Sequence, residues 1–474
     1  MESFYQRRKS SVVHVGDTPL GGDNPIRVQS MTTTPTDDTA ASVAQVRRIV
    51  EAGGEYVRLT TQGVREAENL RAIRAALRAG GITVPLVADV HFNPRVADVA
   101  AQIVEKVRIN PGNYVDTART FRRIDYTDAQ YAAEVEKIRA RLVPFLGICR
   151  THGTAVRIGV NHGSLSDRIM SRYGDTPEGM VESCMEFLRV CADEHFTDVV
   201  LSVKASNTVV MVRTVRLLVR QMDREGMAFP LHLGVTEAGE GEDGRIRSAV
   251  GIGALLGEGL GDTIRVSLSE EPEREIPVAR ELVRYAPESA RVRALAQRDI
   301  RDGVLRLHYV ETSLPLLQLH AAMDAGALLI DGHARDLVIT CAGTAITPAQ
   351  LRDTRDAILQ AARVRFTRTD YISCPGCGRT LYDLPAAIRR VKAATAHLGG
   401  GVKIAIMGCI VNGPGEMADA DYGYVGAARG KVSLYRGKEC IERNIPEDEA
   451  VARLLALIEA DGRHSSVESC RREV

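Results

Sequence analysis

Residues 85–112 read PLVADVHF, then NPRVADVAAQIVE, then KVRINPG. In the first and last of these runs, 85–92 and 106–112, apolar and polar residues alternate, which is typical of a strand with two different faces. The intervening segment, 93–105, has the length of a short helix. This stretch therefore predicts a strand, a crossover helix and a second, parallel strand.

Eight such alternating runs occur before residue 270, each separated from the next by a segment of helical length. They span residues 26–33, 56–61, 85–92, 106–112, 155–161, 198–206, 231–238 and 263–269. Amphipathic segments between or after them include 39–52, 64–79, 131–146, 179–192, 210–222 and 276–285. Eight strand–helix units of this total length predict an α/β fold with a (β/α)8 TIM barrel. The alternative is a doubly wound open sheet, but no GxGxxG follows the first strand.

The pattern changes twice after the eightfold repeat, which predicts three parts. Residues 1–286 form the substrate-binding barrel, and residues 287–368 form an intervening module with one strand-like run at 327–330. Residues 369–474 form a C-terminal α/β domain with a helix at 383–398, a strand at 402–407 and a glycine-rich loop at 408–415. The last dozen residues are predicted to be a frayed tail.

Composition excludes several classes of protein. The 474 residues contain 61 Lys and Arg against 61 Asp and Glu, so no net charge favours nucleic acid or an acidic membrane surface. No apolar stretch reaches the roughly 18 residues of a membrane span, and residues 1–11 lack the apolar run of a secretory signal. We expect a cytoplasmic protein. Its nine cysteines, an odd number, favour thiols or metal ligands over a disulfide framework.

Five cationic residues share the polar phase of the predicted strands: Arg58, Arg108, Arg157, Lys204 and Arg265. If the apolar residues of each strand pack outward against helices, these five charges point into the barrel. Burying them without compensation is prohibitive, so an anion or water must occupy the carboxyl-terminal mouth. Guanidinium groups match phosphate oxygens, so a phosphate or diphosphate is the favoured ligand. The alternative for any one arginine is a structural ion pair.

Acids and histidines accompany these cations. Glu237 follows Thr236 at the end of the seventh strand, where a carboxylate near cations can act as a general acid or base, although a salt bridge is the alternative. His91, His162 and His232 have neither HxH nor HExxH spacing. We therefore predict that they form hydrogen bonds to a ligand or within the core, rather than bind metal.

Three cysteines predict an inorganic site in the C-terminal domain. Cys374-Pro-Gly-Cys377 alone is compatible with an iron-sulfur cluster, a zinc knuckle or a redox dithiol. Cys409 follows a predicted strand and begins Cys409-Ile-Val-Asn-Gly-Pro-Gly-Glu416, where glycines allow backbone to approach a bulky cluster. No fourth Cys or His lies at the spacing of a zinc site, and Glu416 is the nearest oxygen donor. The cluster is favoured, and zinc and the dithiol remain open.

The chain resembles the 4-hydroxy-3-methylbut-2-enyl diphosphate synthase family over residues 10–286 and 365–460. The motifs that carry the resemblance are VQSMT (28–32), VRLT (57–60), VADVHFN (87–93), VRINPGN (107–113), RIGVNHGS (157–164), LHLGVTEA (231–238), GDTIRVS (261–267) and GCIVNGPGE (408–416). The resemblance implies reductive ring opening of 2-C-methyl-D-erythritol 2,4-cyclodiphosphate in the non-mevalonate isoprenoid pathway. It also implies a 4Fe-4S cluster that receives two electrons from ferredoxin or flavodoxin.

The resemblance also implies roles for individual residues. The cluster ligands are Cys374, Cys377 and Cys409, with Glu416 as an exchangeable fourth ligand and as one of two catalytic acids, the other being Glu237. The predicted substrate-binding residues are Arg58, Asp89, His91, Arg108, Asn110, Arg157, Asn161, His162, Ser164, Lys204, Ser206, His232, Arg265 and Ser267. The rivals are a non-redox barrel enzyme with a structural zinc site and a non-catalytic iron-sulfur carrier.

The chain departs from the family in length. The short form of the family joins barrel and cluster domain almost directly, and the plant-like form has a large insert, whereas here 287–368 resembles a reduced insert. In the short form a homodimer brings one subunit's cluster over the partner's barrel. With an insert, closure of the cluster domain over its own barrel is the alternative.

Overall fold

The computed structural model describes residues 4–116, 124–380, 382–410, 415, 417 and 419–462. Glu416, residues 411–414 of the glycine-rich loop and the predicted tail at 463–474 therefore lie outside the described residues. In the described part of the chain, no helix is long and apolar enough to cross a lipid bilayer.

Eight parallel strands form the predicted barrel, which is confirmed. They are β1 Arg27–Met31, β2 Tyr56–Thr61, β3 Leu86–Val90, β4 Lys106–Ile109, β5 Ala155–Asn161, β6 Val199–Lys204, β7 His232–Leu233 and β8 Thr263–Ile264. Strands β1 to β6 pair in sequence order, β7 pairs with β8, and β8 pairs with β1. A parallel bridge from Leu201 to Leu231 joins β6 to the chain that enters β7 and so completes the ring.

The predicted seventh and eighth strands, 231–238 and 263–269, are longer than the paired strands in the structure. Beyond Leu233 and Ile264 regular strand pairing stops, and single backbone hydrogen bonds follow, such as Thr236 N to Ala205 O at 3.2 Å. Glu237 then takes a left-handed conformation with φ 50°, which ends any regular ladder. The alternating sequence therefore continues where regular strand pairing has already stopped.

An N-terminal hairpin closes the end of the barrel opposite the strand carboxyl ends. Val13 and Leu20 form an antiparallel bridge. They pack in a small buried cluster with Val15 and with the first residues of four strands, Tyr56, Val87, Ala155 and Val200. Access to the barrel interior is therefore from the carboxyl-terminal mouth.

Helices cover the outside of the ring. In chain order the described α-helices are α1 Thr39–Glu51, α2 Val64–Ala79, α3 Pro94–Ala100, α4 Pro111–Tyr114, α5 Asp128–His152, α6 Asp167–Tyr173, α7 Pro177–Asp193, α8 Thr208–Arg224, α9 Gly241–Leu256, α10 Glu275–Arg298, α11 Leu314–Ile330, α12 Pro348–Ala361, α13 Leu384–Thr395 and a C-terminal helix, Glu447–Ala460. Short 3-10 helices lie at His162–Ser164 and Pro272–Arg274. The predicted helices all lie on these elements.

The segment 287–368 packs against the barrel helices. Helix α10 runs through residue 287, and the chain continues through β9 Val304–Tyr309, α11, β10 Asp336–Cys341 and α12. Strands β9 and β10 form a separate parallel pair. Two glycines allow α11 and α9 close approach: a Cβ on Gly326 would lie 2.8 Å from Val250 O, and one on Gly253 would lie 2.5 Å from Met323 Cγ.

The prediction of a strand at 327–330 is wrong, because these residues are the last turn of α11. Every residue of α11 from Leu317 to Ile330 is buried. A helix that is buried on all sides is apolar on all sides, so its sequence lacks the periodicity that separates a helix from a buried strand. The division of the chain at 286 and 368 stays a prediction.

Asp324 is a buried acid in this segment, on α11. Its side chain is 0% exposed, and its Oδ2 accepts hydrogen bonds from the hydroxyls of Tyr285 at 3.0 Å and Tyr309 at 2.8 Å. Burial raises the pKa of the Asp324 carboxyl to about 6, although the tyrosine hydroxyls act in the opposite direction. Folding therefore makes the carboxyl of Asp324 harder to ionise than it is in the unfolded chain.

We predict that Asp324→Asn stabilises the protein at neutral pH. Because the folded pKa is raised, this residue's contribution to stability is present below the unfolded pKa of about 4 and is lost as the pH rises through about 6. The free energy of unfolding of the variant should exceed that of wild type by about 1–3 kcal/mol near pH 7.5 and by less near pH 4.5.

Urea unfolding of both proteins at these two pH values measures the difference. Asp299→Asn, a change at an exposed residue just beyond α10, is the matched control and should show no such pH-dependent gain. If Asp324→Asn lowered the free energy of unfolding at both pH values, the buried charge of Asp324 would not destabilise the wild-type protein.

The C-terminal domain contains one five-stranded sheet. Its order is β11 Asp370–Ser373, β12 Lys403–Met407, β13 Tyr422–Ala428, β14 Lys431–Arg436 and β15 Glu439–Pro446. The first three strands are parallel and the last two are antiparallel. Helix α13 and the C-terminal helix pack on one face of this sheet in a separate apolar core. The α/β character predicted for this domain is confirmed.

Candidate active site

The carboxyl ends of the barrel strands surround one cavity. Its lining from the barrel is Met31, Arg58, Asp89, His91, Arg108, Arg157, Asn161, Lys204, Thr236, Glu237, Arg265 and Ser267. Its lining from the C-terminal domain is Cys374, Pro375, Gly376, Cys377 and Arg379. All five cations that strand alternation placed inside the barrel lie here, while their neighbours such as Val57 and Ile109 belong to the outer apolar core.

The cations differ in how their charge is compensated. Arg265 forms a two-pronged ion pair with Glu275 at 3.0 and 2.9 Å, which is the structural alternative considered for such arginines. Arg108 donates to Asp89 Oδ1 at 3.0 Å. In the described part of the chain, the cavity cations without a salt bridge are Arg58, Arg157 and Lys204. The cavity therefore keeps an excess of positive charge.

Arg157 shows this excess most clearly. It is 1% exposed, and its Nη1 donates to Ser202 Oγ at 3.1 Å. Its Nε and Nη2 have no hydrogen-bond partner among the described residues. Burial lowers the pKa of Arg157 well below its usual value, and the charges of Arg58 and Arg108 lower it further. A bound anion would supply both the acceptors and the counter-charge.

Lys204 lies beside Arg157 under the same conditions. Burial lowers its pKa well below the usual value, and Arg157 and Arg58 add to the effect. Its Nζ lies 3.2 Å from His232 Nε2. Burial and Lys204 lower the pKa of His232 well below its usual value. A neutral imidazole can accept a hydrogen bond from the ammonium. His232, which is not part of the cavity lining, can therefore hold the side chain of Lys204 in position.

Asp89, His91 and Arg108 form a connected group at the wall of the cavity. Burial opposes the charge of Asp89, but Arg58 and Arg108 outweigh it and hold the pKa of this carboxyl well below its usual value. Burial and Arg108 lower the pKa of His91 to about 3. His91 Nε2 is hydrogen-bonded to Arg108, and its Nδ1 lies 3.2 Å from Asn113 Nδ2. His91 is therefore a neutral hydrogen-bonding residue.

The loop that carries Cys374 and Cys377 covers the mouth of the same chain's barrel. Strand β11 leads into it, and Ser373 forms a parallel bridge with Ala238 at the end of the seventh barrel segment. Ser269 Oγ donates to Cys374 O at 2.7 Å. A Cβ on Gly378 would lie 2.8 Å from Thr34 O, so only glycine allows this close approach. Both the loop and the cavity therefore belong to one chain.

The thiols of Cys374 and Cys377 line the cavity, and Cys409 lies close enough to influence Cys374. Burial raises the pKa of the Cys374 thiol well above its usual value, and the nearby charges of Cys377, Glu237 and Cys409 raise it further. The amide of Gly376 donates to Cys374 Sγ at 3.4 Å, and Arg379 Nη1 donates to Cys377 Sγ at 3.9 Å. Donors to sulfur of this kind are typical of thiolates that hold an iron-sulfur cluster.

The possible cluster ligands among the described residues are the thiols of Cys374, Cys377 and Cys409. Among the described residues, no three His, Cys, Asp or Glu side chains converge on a single metal ion. A cluster does not require such convergence, because each thiolate binds a different iron. In their chemistry, thiols with nearby N–H donors are compatible with an iron-sulfur cluster. Glu416, predicted as the fourth ligand, lies outside the described residues.

Glu237 lies between the two halves of the site. It is buried, lines the cavity and is close enough to Cys374 to raise the pKa of that thiol. Its φ of 50° is uncommon for a non-glycine residue and costs free energy. The conformation turns the chain directly before Ala238, which bridges to Ser373. Such strain is typical of functional positions, where surrounding structure holds it.

Several predicted site residues lie outside the cavity lining. Asn110 caps α4 through Gly112 N at 3.2 Å and donates to Ser164 Oγ at 2.9 Å, so this pair shapes the loop after β4. His162 Nε2 lies 3.2 Å from Asp175 Oδ1. Ser206 is buried just beyond β6. These residues and His232 are not part of the cavity lining, and their role in substrate binding stays a prediction.

Sequence reasoning missed residues that the structure brings to the site. Arg379 lines the cavity and lies two residues after Cys377, so its proximity to a predicted ligand was an available signal. Lys106 shares the phase of Arg108 on β4 but is not part of the cavity lining, and its Nζ lies 4.0 Å from the centre of the Tyr56 ring, towards the closed end of the barrel. Met31 contacts Arg58 through Sδ at 2.8 Å, which no pattern in the sequence indicated.

The fold and the site together define a class of protein: a (β/α)8 barrel with a cationic mouth that is covered by a cysteine-bearing α/β domain. Residues 10–280 match the GcpE TIM-barrel domain, and residues 370–460 match the GcpE protein C-terminal domain. The chain therefore belongs to the GcpE family.

Curated relatives support this assignment over nearly their whole length. Proteins from Phocaeicola vulgatus and Bacteroides fragilis are each 52% identical, over 97% of this chain and 99% and 96% of their own lengths. Both are named 4-hydroxy-3-methylbut-2-en-1-yl diphosphate synthase (flavodoxin). The first alignment covers 609 positions although this chain has 474 residues, so at least 135 positions have no counterpart here.

Proposed function

We propose that this protein reductively opens 2-C-methyl-D-erythritol 2,4-cyclodiphosphate to 4-hydroxy-3-methylbut-2-enyl diphosphate in the non-mevalonate isoprenoid pathway. The observation that carries the proposal is a single cavity with uncompensated cations on one wall and Cys374 and Cys377 on the other. An anionic substrate fixed at the first wall would lie next to a redox centre at the second. The names of the relatives agree with this chemistry.

The cations would bind the diphosphate. Arg58, Arg157 and Lys204 have the uncompensated charge, and Arg108 is held in place by Asp89. Arg265, paired to Glu275, would supply a fixed positive field rather than a free donor. Because these groups are already oriented, they would stabilise negative charge that develops during ring opening without reorganisation.

The cysteines would hold a 4Fe-4S cluster. Cys374, Cys377 and Cys409 would be its permanent ligands and Glu416 its exchangeable one, as the family resemblance implies. When bound, the cluster would supply two electrons one at a time. The ring C–O bond to the diphosphate breaks and its oxygen stays with the diphosphate, and the hydroxyl group leaves with one proton as water. Glu237 lies beside both halves of the site and would hold the proton that this water requires.

The electron donor would be flavodoxin, as the names of the relatives suggest, or ferredoxin. We place the enzyme in the cytoplasm, where thiols remain reduced. The thiol loop lies over the barrel of its own chain, so catalysis would not require a homodimer to bring the two together. The segment 287–368 would be a shortened insert.

Anaerobic turnover tests this function. Reconstituted protein, reduced flavodoxin and the cyclodiphosphate should give the linear diphosphate, with two electrons consumed for each product molecule. Turnover by a metal-free or zinc-containing preparation without a reductant would contradict the proposal and favour a non-redox barrel enzyme. Iron, sulfide and zinc analysis of the same preparation separates these results.

A further inference from the structure

Arg379 is distinctive among the cations of the cavity. Within the described lining, it alone comes from the C-terminal domain. Its side chain is buried, and the residue is 7% exposed. Its Nη1 lies 3.7 Å from Asp89 Oδ2 in the barrel and 3.9 Å from Cys377 Sγ in the thiol loop. The guanidinium therefore spans the boundary between the two walls of the site.

Its neighbours do not use its full donor capacity. Asp89 already accepts a hydrogen bond from Arg108 at 3.0 Å, and its distance of 3.7 Å from Arg379 is too long for a second one. Arg379 Nη2 is buried and has no hydrogen-bond partner in the part of the chain that the structure describes. A charged donor buried in this way destabilises the fold unless an acceptor arrives.

The guanidinium nevertheless keeps its charge. An arginine side chain stays protonated in proteins, whatever the burial of its guanidinium. Arg379 therefore adds a permanent positive charge to a cavity that already has three cations without salt bridges. The N–H groups of its Nη2 have no acceptor among the described residues. Like charges repel, so this arrangement indicates a polyanion that contacts both walls.

We propose that Arg379 is a further substrate-binding residue, which donates from Nη2 to the diphosphate. This inference rests on the proposed function. The barrel cations hold the diphosphate from one side, and Arg379 holds it from the side of the thiol loop. Because Arg379 and Cys377 belong to the same short loop, a bound diphosphate also fixes that loop on the barrel. Substrate binding and the position of the thiols are thereby coupled.

Binding without turnover tests the proposal. Reconstituted, oxidised protein is titrated anaerobically with the cyclodiphosphate in a calorimeter, with no electron donor present. Arg379→Gln should raise the dissociation constant about tenfold to a hundredfold, which is the effect of losing a hydrogen bond between charged groups. Arg379→Lys keeps the charge but loses the planar fork, so its dissociation constant should lie between those of wild type and Arg379→Gln.

The matched control is Arg390→Gln in the same domain. Arg390 lies on the surface of α13, pairs with Glu447 at 2.5 Å and is not part of the described cavity lining, so its substitution should leave the dissociation constant unchanged. Iron content and the visible spectrum of each variant show whether the cluster is retained. A purely structural role for Arg379 would change these readouts and leave the affinity of cluster-loaded protein intact.

The outcomes separate the inference from the proposed function. If wild type binds the cyclodiphosphate and Arg379→Gln binds it equally well, the inference is wrong and the function stands. If wild type itself does not bind, the proposed function is wrong. If neither Arg379 variant folds, amide exchange in wild type decides: the ligand should slow exchange over residues 374–380, and unchanged exchange would overturn the inference.

Discussion

Cys409→Ser is expected to abolish both the brown colour of the reconstituted protein and its turnover. Cys409 follows β12 directly, and its charge affects Cys374 across the loop, so the two thiols belong to one site. With Cys374 and Cys377 as the remaining ligands, a cluster would keep only two of its three thiolates. Iron and sulfide analysis, the visible spectrum and the anaerobic rate with reduced flavodoxin measure the effect.

Cys440→Ser is the control for that experiment. Cys440 belongs to the same domain and is also partly exposed, but it lies on β15, and its Sγ interacts with Glu442 O at 3.7 Å. This variant should retain iron, colour and turnover. If Cys409→Ser kept a full complement of iron and normal turnover, Cys409 would not be a ligand, and the proposed cluster site would be wrong.

Arg157→Met is expected to change stability and activity in opposite directions. The wild-type side chain is a buried cation with two unpartnered N–H groups among the described residues. Replacement of a buried ion by an apolar side chain of similar length removes this desolvation penalty and should raise the free energy of unfolding by about 1–4 kcal/mol. Loss of charged hydrogen bonds to the substrate should raise the activation free energy for kcat/KM by about 2–3 kcal/mol. The value of kcat/KM should therefore fall roughly 30- to 150-fold.

Urea unfolding without substrate and anaerobic steady-state kinetics measure the two effects. Arg213→Met, a change on the exposed face of α8, is the matched control and should alter neither quantity appreciably. If Arg157→Met destabilised the protein and left kcat/KM unchanged, Arg157 would be a structural residue. A higher free energy of unfolding together with a lower kcat/KM would indicate that Arg157 contributes to ligand binding and destabilises the fold.

Local sequence was sufficient for the barrel and for its charged interior. Alternation on a strand has a period of two, so the position of Arg58 or Arg157 relative to its apolar neighbours determines which face it occupies. The same rule could not find the partner of Arg265. Glu275 lies on the helix after β8, and nothing in the strand pattern indicates that its carboxylate compensates this one cation.

The wrong prediction of a strand at 327–330 has an equally local cause. Residues 327–330 are helical because α11 is buried on every side, and a helix without a solvent-facing stripe loses its period of 3.6. The substrate-binding role of Asn110 and Ser164, which the family resemblance implied, stays a prediction. In the structure these two side chains form a hydrogen bond to each other.

The sequence by itself determined the eight strand–helix units, the inward cations and the three cysteines, because each depends on residue type and on spacing over a few residues. Tertiary structure alone decided that the thiol loop covers the barrel of its own chain, that Glu237 adopts its left-handed conformation between them, and that Arg379 enters the cavity. These features depend on contacts between residues more than a hundred positions apart, such as Ser269 with Cys374, and such contacts leave no periodic signal in the chain.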